Sequence, residues 1–162
     1  MDHDRVVFIC HSTGGIIVRY LLESRWSDFQ NKTIGLVLIA SPSYGAHLAR
    51  YFRFLSRLYN QRLGAQLSWA SWNLQDLDDR FKRLIAERRI PRLFGIEALE
   101  NHFVFHRKWL PDRYVVVSRE SGGRYFGPPV LLRNTDHFSC VKPDNPDHPA
   151  HQLVADFCGK LP

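Results

Sequence analysis

The chain has 162 residues and a composition close to that of folded soluble proteins, with 44% hydrophobic and 23% charged residues. That length suits about one domain, and the composition excludes a disordered chain, a collagen-like repeat and a small disulfide scaffold. Lysine and arginine number 22 against 16 aspartates and glutamates, a formal charge of +6. No apolar run approaches the ~20 residues that cross a bilayer, and we expect no signal peptide in residues 1–5.

The first quarter of the chain predicts a strand, a helix and a second strand. Residues 6–9 are a continuous run of β-branched and aromatic side chains, typical of a strand buried on both faces of a parallel sheet. Apolar residues recur at helical spacing from Ile16 to Leu21 and predict a helix that ends near Arg25. Residues 34–40 form a second apolar run, and the proline and glycine that follow it predict a turn.

The rest of the chain predicts a large helical insertion before the sheet resumes. Residues 47–110 have helical patterning and exceed the length that a crossover between strands needs. We expect strands at residues 114–117 and 130–132, and a closing helix at residues 148–157. Because strands alternate with helices, the predicted class is α/β, a single domain over residues 1–162 whose parallel sheet of about four strands is flanked by helices.

The positive charge is concentrated in the predicted insertion. Residues 45–110 hold 12 basic and 6 acidic residues, while the remainder of the chain holds 10 of each. Such a segment either attracts an anionic partner or forms a solvated, arginine-rich helical surface, and the second is commoner. No nucleic-acid-binding motif accompanies the charge, so we predict no nucleic acid partner.

The cysteines and histidines give no sign of a disulfide framework or a metal site. Cys10, Cys140 and Cys158 are odd in number and lack CxxC spacing, which predicts reduced thiols in a cytoplasmic protein. His148 and His151 stand three residues apart without further ligands of matching spacing. We therefore expect no metal.

The sharpest motif is the turn between the first strand and the first helix, HSTGG at residues 11–15. A serine hydroxyl attacks a carbonyl when it is exposed, near a base and close to backbone N–H donors. A sharp strand-to-helix turn presents Ser12 in this way. Small residues two positions before and after the serine let the turn close; Gly14 fits, and Cys10 stands where glycine is expected. The alternative is a serine that only caps the helix.

His137 is the predicted base. In serine hydrolases built on a parallel sheet, the order along the chain is serine, acid, histidine. His137 follows the predicted strand at residues 130–132, which places it at the same edge of the sheet as Ser12. The alternative is a loop histidine held by its neighbours. His11 adjoins the serine, and we expect its side chain to point elsewhere.

The acid is expected after the third strand, where it accepts a hydrogen bond from the imidazole. Glu120 follows the strand predicted at residues 114–117 and is the first choice. Asp136 is the rival, although adjacent side chains tend to diverge, which makes its carboxylate hard to aim at His137. The alternative for Glu120 is a surface carboxylate paired with a nearby arginine.

Three stretches together resemble a known family. Residues 6–23 are similar to the nucleophile turn of α/β-hydrolase serine esterases and lipases, and more narrowly to serine esterases related to the GPI inositol-deacylase and lipase-like groups. Residues 34–46, with their ASPSYG turn, resemble the strand after that turn, and residues 136–143 resemble the histidine loop. The resemblance implies a partial α/β-hydrolase fold with Ser12 as nucleophile and His137 as base.

The resemblance also sets expectations for activity. It implies a serine hydrolase that cleaves lipid or other acyl esters through an acyl-enzyme intermediate, with no cofactor. The N–H of Thr13, the residue after the nucleophile, is the expected oxyanion donor. Members of the family carry several strands ahead of the nucleophile, so we expect the chain to lack an N-terminal half that includes the second oxyanion donor.

The alternative function is a catalytically inactive hydrolase-like module that binds a protein partner or an anionic membrane surface. A row of Arg50, Arg53 and Arg57, followed by Trp69 and Trp72, has the makings of a helix at a membrane surface. The commoner arrangement packs the apolar face on the sheet and leaves the arginines in water. In either case the expected location is the cytoplasm, and the alternative is a cytoplasmic protein in peripheral contact with a membrane.

Overall fold

The computed structural model of the protein describes residues 3–42, 64–101 and 125–162, with side chains in the second range from residue 74 onward. Four strands in these ranges form one sheet in which every neighbouring pair is parallel, in the order β1-β2-β3-β4. The predicted α/β class, with a parallel sheet of about four strands flanked by helices, is confirmed. The strands are β1, Arg5–His11; β2, Thr33–Ile39; β3, Leu93–Glu100; and β4, Val130–Leu132.

Three α-helices within the described residues cover the two faces of the sheet. They are α1, Thr13–Ser24; α2, Gly64–Ala86; and α3, Pro149–Lys160. Leu22 of α1 and Phe81 of α2 are buried in one apolar cluster, on what we call the α1 face. Ala150 of α3 is buried with Val37 and Leu132 in a second cluster, on the α3 face.

β2 is buried along its whole length, as its continuous apolar run predicts. β1 pairs with it from Arg5 opposite Thr33 to His11 opposite Ile39, and β3 pairs with it on the other side. Because all four strands run in the same direction, their C-terminal ends lie along one side of the sheet, which we call the carboxyl edge. Ligands of open α/β sheets bind at this edge.

The structure differs from the prediction for residues 47–110. Gly64–Ala86 is helical, but Leu93–Glu100 forms β3, which lies between β2 and β4 within the sheet. A wholly helical insertion is therefore wrong for this stretch. The strand predicted at residues 114–117 lies outside the described residues.

The composition of β3 explains why its pattern misleads. Alanine, leucine and glutamate favour helices, and two glutamates interrupt its apolar run. Tertiary contacts override this preference. The Glu97 carboxylate accepts a hydrogen bond from the Tyr125 N–H at 2.9 Å. The ring of Phe126 lies against Gly95, where a Cβ would come within 2.3 Å of it, so this strand needs a glycine there.

A buried polar network on the α1 face holds α1 against α2 and against the segment after β2. Arg19 of α1 is fully buried and donates to the Tyr125 hydroxyl, which in turn donates to the carboxylate of Asp78 on α2. Arg19 also donates to the carbonyl oxygens of Gly15, at 3.1 Å, and Pro42, at 2.5 Å. Burial raises the pKa of Tyr125, which keeps its hydroxyl protonated as the link.

β1 is an outer strand of the described sheet, and apolar side chains beside it are open to solvent. Ile9 of β1 is 56% exposed, and Ile17 and Tyr20 of α1 are 64% and 56% exposed. Among the helices in the described ranges, none combines the length and the apolar character that crossing a bilayer requires.

Candidate active site

Ser12 occupies the sharp turn between β1 and α1. Its φ of 56° and ψ of −126° are sparsely populated by residues with a side chain, at a typical cost of about 1–3 kcal/mol. Its N–H donates to the Ile39 carbonyl at 3.0 Å, and its own carbonyl accepts from the Gly15 N–H at 3.2 Å. The Ser12 hydroxyl makes no capping hydrogen bond to α1, so the serine is not a simple helix cap.

Gly15, rather than the Gly14 of the predicted motif, is the glycine that this turn needs. A Cβ on Gly15 would lie 2.2 Å from Oγ of Ser41 and 2.8 Å from Cδ2 of Leu38, whereas a Cβ on Gly14 would meet nothing within 4 Å. Cys10 fits where glycine is expected because its side chain is buried in the core of the α1 face. Burial raises the pKa of the Cys10 thiol to about 11, which keeps it protonated at neutral pH.

His137 lies in the loop after β4, with its Nε2 atom 3.2 Å from Oγ of Ser12. Ser12 is 8% exposed and His137 is 2% exposed. Hydrogen bonds fasten this loop to the ends of two strands. The Thr135 hydroxyl donates to the Leu132 carbonyl at 2.8 Å, and the Asn101 N–H donates to the Thr135 carbonyl at 3.2 Å. The structure thus brings together the predicted nucleophile and the predicted base.

The carboxylate beside His137 belongs to Glu100, the last residue of β3. Its Oε1 atom is 3.4 Å from Nδ1 of His137, somewhat longer than an ordinary hydrogen bond, and both side chains are almost fully buried. Glu120, the first choice from the sequence, lies outside the described residues. The rule that the acid follows the third strand leads to Glu100 once β3 is placed correctly.

Asp136, the rival acid, is turned toward its own loop. Its Oδ1 atom accepts hydrogen bonds from the N–H groups of Phe138 and Ser139, at 2.9 and 2.8 Å, and from the Ser139 hydroxyl. Burial alone raises the pKa of Asp136, but these hydrogen bonds outweigh it and lower the pKa below its usual value. Asp136 therefore shapes the loop that carries His137, and its contacts with Ser139 and Phe138 give it a structural role.

The two ring nitrogens of His137 face different partners. Nδ1 lies 3.4 Å from the Glu100 carboxylate, and Nε2 lies 3.2 Å from the Ser12 hydroxyl. In the tautomer with the proton on Nδ1, Nε2 accepts the hydroxyl proton of Ser12. This arrangement can move a proton from the serine to the imidazole while the carboxylate balances the positive charge that forms.

Thr13 is the first residue of α1, so its N–H stands at the positive end of the helix dipole, directly after the serine. This is the position that the resemblance assigns to the oxyanion donor.

The residues that the structure describes contain no group of three or more His, Cys, Asp or Glu side chains placed to hold a metal ion. Nδ1 of His148 instead accepts from the Ala150 N–H and caps α3.

Sequence reasoning missed Glu100 because it missed β3. Two signals were present. Pro91 interrupts the helical pattern, and the LFGI run at residues 93–96 contains aromatic and β-branched residues that favour a strand. A glutamate that ends such a strand lies at the carboxyl edge and is a candidate for the acid.

Comparisons of the chain with models of protein families, with curated proteins and with solved structures found no match. The resemblance to α/β-hydrolase esterases therefore stays a prediction from three short motifs. The function is inferred from the contacts among Ser12, His137 and Glu100.

Proposed function

We propose that the protein is a serine hydrolase that cleaves carboxylic esters of lipids or of other acyl groups. One observation carries the proposal: the Ser12 hydroxyl contacts Nε2 of His137 at 3.2 Å while the Glu100 carboxylate faces the opposite nitrogen of the same ring. The three side chains come from the ends of β1, β4 and β3 and meet at the carboxyl edge. A catalytic triad is recognised by this geometry and these roles rather than by sequence position.

In the proposed reaction, Oγ of Ser12 attacks the acyl carbon while Nε2 of His137 takes the hydroxyl proton. Glu100 stabilises the imidazolium, and the N–H of Thr13 donates to the oxyanion. His137 then protonates the leaving alcohol, which leaves an ester on Ser12. A water molecule gives a proton to His137 and attacks this ester; the bond between the acyl carbon and Oγ breaks, His137 returns the proton to Oγ of Ser12, and the acid is released.

The backbone of Ser12 supports a role as nucleophile. A serine that merely packs or caps has no need of a positive φ, whereas a nucleophile at a sharp turn is held away from the helix that follows it. The sequence led us to expect an exposed serine, whereas only 8% of Ser12 is exposed, so the substrate has little room at the hydroxyl. A small ester such as p-nitrophenyl acetate is therefore the first substrate to test.

A fluorophosphonate probe, which reacts with activated serines, tests the proposal directly. We expect the folded chain to be labelled at Ser12, as located by mass spectrometry of its peptides, and Ser12→Ala to abolish the label. Ser24→Ala removes an exposed serine at the end of α1 and serves as the matched control, with labelling unchanged. A folded chain that resists the probe and does not hydrolyse the ester contradicts the proposal and favours the inactive binding module.

The identity of the acid is tested by two matched substitutions. Glu100→Gln leaves the shape of the site but removes the negative charge beside Nδ1 of His137, and we expect ester hydrolysis to fall on the order of 10³-fold or more. Glu120→Gln should leave the rate unchanged. The opposite result would return the role to Glu120, and equal losses would mean that neither carboxylate alone serves His137.

The proposed location is the cytoplasm, supported by three cysteines that are all free thiols. Membrane contact through the basic segment is a weaker candidate. Arg50, Arg53 and Arg57 lie outside the described residues, and the side chains of Trp69 and Trp72 are not described.

A further inference from the structure

His11 makes a contact that joins the end of β1 to the loop after β4. It is the last residue of β1, directly before Ser12, and its side chain points to the α3 face, opposite that of Cys10. Its Nε2 atom is 2.8 Å from the backbone carbonyl oxygen of His137, 126 positions later in the chain. The sequence predicted that this side chain points elsewhere; that prediction is wrong, because the ring lies beside the predicted base, His137.

The strand order makes this contact important for the site. β1 and β4 are the outer strands of the described sheet and do not pair with each other. Ser12 follows β1 and His137 follows β4. The backbone hydrogen bonds of the sheet therefore fix the distance between these two residues only indirectly, through β2 and β3. The hydrogen bond from His11 connects the two ends directly, one residue from the nucleophile and at the peptide unit of the base.

The chemistry of the contact sets the state of His11. A carbonyl oxygen only accepts, so Nε2 of His11 carries a proton. Burial lowers the pKa of His11, and the adjacent His137 lowers it further, so the ring is neutral at neutral pH. The two rings lie 4.8 Å apart, and a neutral His11 avoids repelling the positive charge that forms on His137 during the proposed reaction.

The same carbonyl has a second donor. Sγ of Cys140 donates to the oxygen of His137 at 3.3 Å, and burial raises the pKa of this thiol to about 12, so it remains a donor at neutral pH. Two donors on one carbonyl oxygen restrict rotation of the peptide unit that carries the His137 side chain. Ring position follows from that peptide unit, because only two side-chain torsions separate them.

We propose that His11 is a positioning residue, which holds the peptide unit of His137 so that its Nε2 stays within proton-transfer distance of the Ser12 hydroxyl. This inference rests on the proposed hydrolase function. It predicts a loss in the chemical step rather than in substrate binding, because His11 contacts the backbone of the base and not the acyl group.

His11→Phe and His11→Gln separate the hydrogen bond from simple packing. Phenylalanine keeps a ring but has no donor, and we expect kcat for p-nitrophenyl acetate to fall about 10- to 100-fold with KM changed less than about twofold. Glutamine has an amide donor of similar reach and should restore kcat to within about threefold of the original chain. His151→Phe, on the exposed side of α3, is the control and should leave both constants unchanged.

The outcomes separate this inference from the function on which it rests. An original chain that is labelled at Ser12 and hydrolyses the ester, together with a folded His11→Phe variant of equal kcat, overturns the role of His11 and leaves the hydrolase standing. An original chain without labelling or hydrolysis overturns both. If His11→Phe does not fold, His11→Asn is used instead, since its amide is too short to reach the carbonyl; full activity in that variant also overturns the role.

Discussion

The two faces of the sheet are stabilised in different ways. On the α1 face, a fully buried arginine, a tyrosine and an aspartate form a chain of directional hydrogen bonds among the apolar side chains. On the α3 face, apolar side chains pack around Val37, Ile39 and Ala150, and the buried polar groups, Glu100 and His137, lie at the carboxyl edge. Apolar contacts are non-directional, whereas a buried polar network tolerates one arrangement only. The network thus adds directional contacts to α1, the helix that follows Ser12.

The largest expected effect comes from removing the buried arginine of the α1 face. Arg19→Met keeps the length of the side chain but takes the donor from the buried Tyr125 hydroxyl and Pro42 carbonyl, and we expect the free energy of unfolding to fall by about 1–3 kcal/mol for each. Ile39→Leu, a swap of equal volume on the α3 face, should cost less than about 1.5 kcal/mol. Urea denaturation of both variants gives the comparison. Equal losses for these two variants would mean that the faces do not differ as described.

A smaller effect is expected where α1 meets β2. Gly15→Ala forces a methyl group against Ser41 and Leu38 and should destabilise by about 1–3 kcal/mol. Gly14→Ala has open space and lies within the helix, so it should stabilise by up to about 1 kcal/mol. Thermal unfolding measures both. If Gly14→Ala lowered the stability more than Gly15→Ala, Gly14 and not Gly15 would be the glycine in close contact, which would contradict the structure.

The smallest expected effect is the contribution of His11 to the pH dependence of stability. His11 lies on the α3 face, near His137 and Glu100. Its pKa in the folded chain is lowered from 6.5, first by burial and then by His137, so the unfolded chain binds the proton more readily. Stability from His11 is therefore complete above about pH 6.5 and declines as the pH falls toward the lower folded value. The difference in unfolding free energy between the original chain and His11→Gln should shrink from pH 8 to pH 5; a constant difference would contradict this.

Along the carboxyl edge, the sequence points to those residues whose neighbours in the chain form a recognisable pattern. Ser12 stands out because strand, glycine pair and helix follow one another, and His137 because it comes after a short strand late in the chain. Glu100 does not, because the alanine, leucines and glutamates of Leu93–Glu100 mask its strand character, and the contacts that make it a strand, with β2, Tyr125 and Phe126, are distant in sequence. The bond from His11 to the His137 carbonyl is equally hidden, since it depends on a backbone group that any residue supplies.

The position of β1 at the border of the described sheet bears on heat inactivation. Within the residues that the structure describes, its backbone ladder joins it to β2 alone, and Ser12 follows directly on its last residue, His11. Border strands detach by local fluctuations that cost less than global denaturation and that amide hydrogen exchange detects. Detachment of β1 withdraws Ser12 from His137 while the interior strands stay intact, so under the proposed function ester hydrolysis should be lost on warming before the circular dichroism changes.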